Sequence, residues 1–275
     1  MLYLVSTPIG NLGDISPRAK EILSQADLVA CEDTRTSHNL FNLLGIHVKA
    51  TTPYHDHNAD AARPKLLQKL KSGMTIALVS DAGTPLVSDP GYKLVRDCLK
   101  EGIKVSTIPG ANAVLSALQL SGLSSASFYF GGFLPTKTGA RKEHLSAVQN
   151  LKSTLIFYES PNRLLKALQD VLAVYGNRDM AVVREITKKF EEVKKDSVAN
   201  LLAYYTQNGE PKGEIVLVID GAPEKVSSST PQDWNKLIQS VRPKYPVKKA
   251  AEILAEQTGH PKKEIYQLII KHEKK

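Results

Sequence analysis

Five short apolar stretches in the first 120 residues constrain the fold of this chain most. Each is followed by a polar loop and an amphipathic stretch. They are LYLVS (2–6), DLVAC (27–31), IHVKAT (46–51), TIALVS (75–80) and KVSTIP (104–109). Helix-like segments lie between them at 17–25, 36–44, 60–71 and 92–101. The first of these opens Ser16-Pro17, a capping residue followed by proline at the first helical position. Strand and helix alternating in this way predict an α/β fold built on a parallel sheet flanked by helices.

The rhythm changes from about residue 125. SFYFGGF (127–133), STLIFYES (153–160), MAVVREI (180–186) and EIVLVID (214–220) read as strands, with helices near 139–151, 161–175 and 196–208. This predicts a second, mixed α/β domain over 121–222, after an N-terminal α/β domain over 1–120. The stretch APEKVSSSTPQD (222–233) has the composition of a linker. Beyond it two amphipathic helices are expected, one with Ala250, Ile253 and Leu254 on its apolar face, the other with Ile265, Leu268 and Ile269. The turn TGHP separates them, so 223–275 reads as a linker and a small helix-turn-helix-like appendage.

Charge is unevenly placed. Residues 225–275 carry 11 Lys/Arg against 5 Asp/Glu, a net +6 out of the +8 of the whole chain. A basic tail on a nearly neutral body suits a polyanionic partner, although a merely soluble C-terminus fits the charge equally well. No apolar run approaches the ~20 residues that span a bilayer, and the N-terminus lacks the basic and apolar regions of a signal peptide. Cys31 and Cys98 are far apart and form no CxxC, which argues against a disulfide framework or thiolate zinc site and fits a reducing cytoplasm.

The loops after the five strands are long and chemically crowded: STPIGN, CEDTRTSHN, TTPYHDHNAD, VSDAGTPLVSDPG and IPGANAV. In a parallel sheet all five leave at the carboxyl edge, where open α/β sheets bind ligands. No GxxxxGK[ST] is present, and no GxGxxG follows a strand. Apart from Arg35 the loops also lack the Lys or Arg of a phosphate cradle. Asp81 arrives at the edge instead, among Gly83, Thr84 and Pro85. Alone it reads as a turn or cap residue; beside the other loops it suits a neutral or cationic ligand such as a ribose, an amine or a sulfonium.

In order along the chain, TPIGNLGDIS, CEDTR, VSDAGTPLVSDPG, IPGANA, GGFLP, YESPNR and REITKKFEE resemble the motifs of the tetrapyrrole methylase superfamily. The similarity runs over about 2–221 and is greatest to its branch acting on small-subunit ribosomal RNA. The resemblance implies S-adenosylmethionine in a cleft between two α/β domains, and a homodimer. It implies cofactor contacts from Thr7, Pro8 and Gly10, from Asp81, Gly83, Pro85 and Leu86, from Gly110, Ala111 and Ala113, and from Glu214 and Ile215. It also implies 2′-O-methylation of a cytidine in the decoding centre of 16S rRNA within the small ribosomal subunit.

For that reaction the sulfonium and the hydroxyl must be aligned and the hydroxyl proton removed. Candidates are Glu32, Asp33 and Arg35, then His55, and Glu159 from the second domain. Asp33 and Arg35 equally suit a helix cap with its salt-bridge partner. His55 and His57 have metal-like spacing but no third ligand, so no metal is expected. Arg163, Lys188, Lys189, Lys248, Lys249, Lys262 and Lys263 are the candidate RNA contacts, positioning phosphates rather than reading bases. Two other readings compete, a corrin or porphyrin C-methyltransferase and a non-catalytic ribosome-binding factor. The basic tail argues against the first, and the intact cofactor loops argue against the second.

Overall fold

A computed structural model describes residues 1–223, 234–258 and 260–273 and divides the chain into two compact units, 1–222 and 223–275. Most of the expected linker and Gly259 of the TGHP turn lie outside the described residues.

The first unit holds two five-stranded sheets. Strands β1 (Leu2–Val5), β2 (Leu28–Cys31), β3 (Thr51–Pro53), β4 (Ile76–Val79) and β5 (Val105–Ile108) lie in the order β3-β2-β4-β1-β5, all parallel. Helices α1 (Pro17–Gln25), α2 (Thr34–Leu44), α3 (Ala59–Lys71) and α4 (Tyr92–Lys100) connect them. Apolar clusters cover both faces: Val5, Leu23, Val29 and Phe41 on one, Leu2, Ala30, Leu78 and Leu94 on the other. That two-sided burial explains why β2 and β4 are uninterrupted apolar runs. The expected third strand at 46–51 is displaced to 51–53. Gly45 ends α2 in the left-handed conformation, and Ile46 instead joins the core by bonding back to the Phe41 carbonyl.

The second sheet has the order β6-β7-β10-β8-β9, built from β6 (Phe128–Phe133), β7 (Thr154–Glu159), β8 (Asp179–Arg184), β9 (Glu192–Ser197) and β10 (Ile215–Ile219). Only β6 and β7 are parallel; β10 runs antiparallel to both β7 and β8. Helices α6 (Thr138–Val148), α7 (Leu164–Tyr175) and α8 (Val198–Asn208) bury one face of this sheet. Helix α5 (Ala113–Ser121) follows β5 in sequence but packs Val114, Ala117 and Leu118 on the other face, against Ile156, Ala181, Val183 and Val216. It was hidden in the IPGANAV loop of the sequence reading. It places the loop after β5 where the two sheets meet.

Among its described residues the second unit has three helices rather than two: α9 (Trp234–Val241), α10 (Val247–Thr258) and α11 (Lys262–Glu273). Its core is Ile238, Val241, Ala250, Ala251, Leu254, Ile265 and Ile269. Ile253 is only partly buried and Leu268 is exposed, so both leave the expected apolar faces. No helix among the described residues is long and apolar enough to cross a membrane.

Candidate functional site

The loops at the carboxyl edge of the parallel sheet are stitched together. Thr7 and Gly83 exchange two backbone hydrogen bonds, 2.9 and 3.1 Å, tying the loop after β1 to the loop after β4. Ser6 donates its hydroxyl to Thr84 Oγ1, and Thr84 donates onward to the Ala111 carbonyl at 3.0 Å, which adds the loop after β5. The Asp33 N–H donates to Asp81 Oδ1 at 3.0 Å and adds the loop after β2. In the β4 loop Leu86 and Ser88 hold positive φ values of 73° and 65°, conformations that cost a side-chain-bearing residue energy and cluster at functional sites.

Facing these loops is an edge of the second sheet. Because β10 is antiparallel to its neighbours, its beginning lies beside the ends of β7 and β8, and Ile215 pairs with both Glu159 and Arg184. Together the two sides enclose a cleft of about 460 Å³, within the usual ~300–1,000 Å³ of small-molecule sites. Its walls include Ile9, Ala113, Phe133, Tyr158, Ile186 and Val216. Glu32, Asp81, Asp89, Glu159 and Glu214 also line it, while no lysine or arginine does.

Burial acts on several of these groups. It pushes the Asp89 carboxyl up to about 6, with the Glu32 and Asp81 charges adding to the effect and a Ser80 hydrogen bond opposing it. Burial, then the Asp81 charge, raises Glu32. Glu159 is raised by burial against the opposing pull of the Ser160 N–H and Arg163. Its Oε1 accepts from the Ser160 N–H at 2.7 Å and pairs with Arg163, but its buried Oε2 has no partner among the described residues. A buried acceptor left unsatisfied is costly, so this oxygen is suited to a ligand donor.

Of the sequence candidates, the structure brings Glu32, Asp81, Gly83, Ala113, Glu159, Glu214 and Ile215 to the cleft. Several others stand behind it. Thr7 is buried and donates its hydroxyl to the Ser80 carbonyl; Pro8 and Pro85 are buried, and Leu86 packs into the core beside the parallel sheet. Gly110 abuts Ser6, and Ala111 presents its carbonyl to Thr84. Gly10 accommodates the stem of Lys188, which leaves no room for a Cβ there.

Asp33 caps α2 and pairs with the highly exposed Arg35 at 2.8 Å, and neither residue lines the cleft. His55 does not line the cleft; its N–H donates to Asn58 at the start of α3, and its buried Nδ1 has no partner. No metal-binding group of three or more ligands occurs among the described residues.

The candidate RNA contacts also divide. Arg163 is held by Glu159 and Ser160, and Lys188 bridges Glu185 and Glu214 at 3.0 and 3.1 Å. Lys189 lies over the Phe190 ring. In the tail, Lys249 and Lys262 both reach Glu252, whereas Lys248 and Lys263 are exposed. Sequence reasoning missed Asp89, Tyr158 and Phe133. Asp89 lay in plain view inside the quoted β4 loop, and its position just before Pro90 was the available signal.

Residues 1–202 match the tetrapyrrole (corrin/porphyrin) methylases, and residues 231–273 match the RsmI C-terminal HTH domain. The chain belongs to the tetrapyrrole methylase family. Solved structures agree on the fold. Diphthine synthase superimposes with a TM-score of 0.59 at 18% identity, over 80% of this chain and 89% of its own. A uroporphyrin-III C-methyltransferase from Thermus thermophilus, complexed with S-adenosylhomocysteine, gives 0.54 at 17%, over 80% and 96%. Within the family, the enzyme called ribosomal RNA small subunit methyltransferase I is 47% identical in Mesorhizobium japonicum, over 98% of this chain and 91% of that protein. The enzyme of the same name in Escherichia coli O157:H7 is 42% identical, over 99% and 95%. These relatives place the chain in that branch.

Proposed function

We propose that the chain uses S-adenosylmethionine to methylate ribosomal RNA of the small subunit, at the ribose 2′-hydroxyl of a cytidine in the 16S decoding centre. The observation that carries this reading is the cleft's charge: five carboxylates and no cation among its lining residues, although Glu159 pairs with Arg163 and Glu214 with Lys188 outside the lining. S-adenosylmethionine has no phosphate and carries a sulfonium and an ammonium, so the acids of this wall suit it and offer no cation to a nucleoside phosphate. Asp81, Gly83 and Ala113 on the loop side, with Glu214 and Ile215 on the strand side, would hold it. When bound it supplies an electrophilic methyl group.

The chain's own task is then to align the acceptor oxygen and take its proton. Glu159 suits the second part: Arg163 anchors one oxygen, and the other is unpartnered in the cleft wall. The basic tail, with Lys248 and Lys263 exposed on it, suits phosphate contacts outside the cleft. The family resemblance supports a homodimer, and a ribosomal substrate supports a cytoplasmic site of action.

The deciding experiment offers labelled S-adenosylmethionine with small subunits lacking the modification, and with naked rRNA alongside, and identifies the labelled nucleoside. Label in 2′-O-methylcytidine is the expected result. Label at another position or atom would overturn the finer assignment. No transfer to either RNA, with cofactor binding intact, would point to a small-molecule acceptor.

A further inference from the structure

A departure from regular pairing at the rim of the cleft sets one side chain apart. Strand β6 pairs with β7 through Phe128↔Thr154, Tyr129↔Leu155 and Phe130↔Ile156, and then Phe133 pairs with Tyr158. Between the last two pairs β6 advances three residues and β7 only two, which is a one-residue bulge at Gly131-Gly132. Both glycines are required there. A Cβ on Gly131 would run into the Phe157 ring, and Gly132 has φ +68°. In an unbroken strand residue 133 would face away from residue 130. The bulge instead puts Phe133 on the side of Phe130 and Tyr158, where it joins the cleft wall.

Phe133 is 59% exposed, although aromatic side chains are costly to leave in water. It is not loose. Its centroid lies 5.1 Å from that of Tyr158 at 61°, and Tyr158 is braced in turn by Phe130 at 4.9 Å and 65°. An inclined contact of this kind fixes the ring without covering it. The result is a braced, open aromatic surface at the rim of a cleft whose lining also holds five carboxylates.

We infer that Phe133 is the stacking platform for the base of the nucleotide being methylated, an inference that rests on the RNA-methylation reading above. No lysine or arginine lines the cleft to hold a phosphate of the target strand, so the base and ribose of that nucleotide are the parts that enter. A base entering such a wall needs a contact that is not ionic, and every base has a π-face to stack. The acceptor arrives from solvent and leaves through the mouth, which is where Phe133 stands. The cofactor is the deeper occupant, against the buried Ile215 and Val216.

The test uses the full chain with Phe133→Ala, Phe133→Leu and Phe133→Tyr. Three quantities are read: cofactor Kd by calorimetry, KM and kcat for unmodified small subunits, and melting temperature as a check on folding. Removing a base-stacking aromatic costs about 5- to 150-fold. Phe133→Ala and Phe133→Leu should therefore raise KM for the subunit at least 5-fold, Phe133→Tyr should stay near wild type, and cofactor Kd should not move. A raised cofactor Kd with unchanged KM would give the ring to the cofactor's adenine and overturn the inference. So would a Leu variant that behaves as wild type, since simple apolar packing would then suffice. If wild type binds cofactor but transfers nothing to rRNA, the underlying reading fails too, and that is seen before any variant is made.

Discussion

The two sheets of the body contribute to one cleft by opposite means. The parallel sheet contributes loops: its strands all end on one side, and Ile9, Glu32, Asp81 and Ala113 come from segments just beyond those ends or from the helix that follows. The mixed sheet contributes strand positions. Tyr158, Glu159, Ile215 and Val216 belong to β7 and β10 and are held by the ladder itself. A loop wall can change its chemistry with little effect on the fold. A strand wall cannot, because each of its side chains is also a pairing and packing residue. The halves differ beneath the surface too: the fully buried charged side chains among the described residues, Arg141, Glu159 and Asp170, all belong to the mixed half.

That contrast can be broken most forcefully at Arg141. It is 1% exposed, bonds Asp170 at 2.7 Å and donates to the Pro135 and Thr136 carbonyls. Arg141→Ala would leave Asp170 with only its longer contact to Lys142, 3.5 Å, and breaking a buried pair costs about 3–5 kcal/mol. Urea denaturation should show a loss of that order; a midpoint close to wild type would mean that Lys142 alone compensates the buried carboxylate.

Next in size is Asp81→Asn in the loop wall. The amide keeps an acceptor oxygen for the Asp33 N–H and removes only the charge. Calorimetry should record a 10- to 100-fold loss in affinity for S-adenosylmethionine, on the order of 1.4–2.7 kcal/mol, with the unliganded melting temperature unmoved. If the melting temperature falls instead, the loop wall is structural as well.

A smaller effect is expected at Asp89. An aspartyl group in an unfolded chain titrates near ~3.9, and burial in the folded chain pushes this one up to about 6. The folded state thus holds the proton more tightly than the unfolded state. Stability falls as pH rises from about 4 to about 6, and then levels off with respect to this group. Asp89→Asn should melt above wild type at pH 7–8, with the gap closing as pH falls through that window. A gap independent of pH would show that the carboxyl is not penalised by burial. The smallest effect belongs to Arg35→Ala: an exposed arginine paired to its own helix cap should leave methyl transfer within about twofold of wild type.

The sequence is unequally informative about these same two halves, for the same reason. In the parallel half the strands β2 and β4 are buried on both faces and so appear as apolar runs, and the first helix carries its own start signal at Ser16-Pro17. Asp81 and Gly83 could be read as site residues because a loop that positions a ligand must be written in Gly, Pro and Asp. The choice of Ile9 over Thr7, Pro8 and Gly10 was not legible, since which loop residues turn inward is decided by the Thr7–Gly83 bridge, a pairing 76 positions apart. In the mixed half, Phe133 owes its position to a bulge whose only trace is a Gly-Gly pair. The α5 helix was obscured because its apolar residues serve the second sheet while its sequence position follows the first.

Strand β9, EVKKDS, escaped the sequence reading altogether because four of its six residues are charged where a strand is expected to show an apolar face. It forms the outermost strand of its sheet. Its lysines are engaged sideways, Lys194 over the Tyr204 ring and Lys195 on the Gly122 carbonyl. An outermost strand leaves one row of backbone donors and acceptors open to any passing chain, and lysines along such a row make strand addition unfavourable. The polarity that disguised this element thus guards the protein against fibrous self-association. That protection matters most at the high local concentrations of newly made chains.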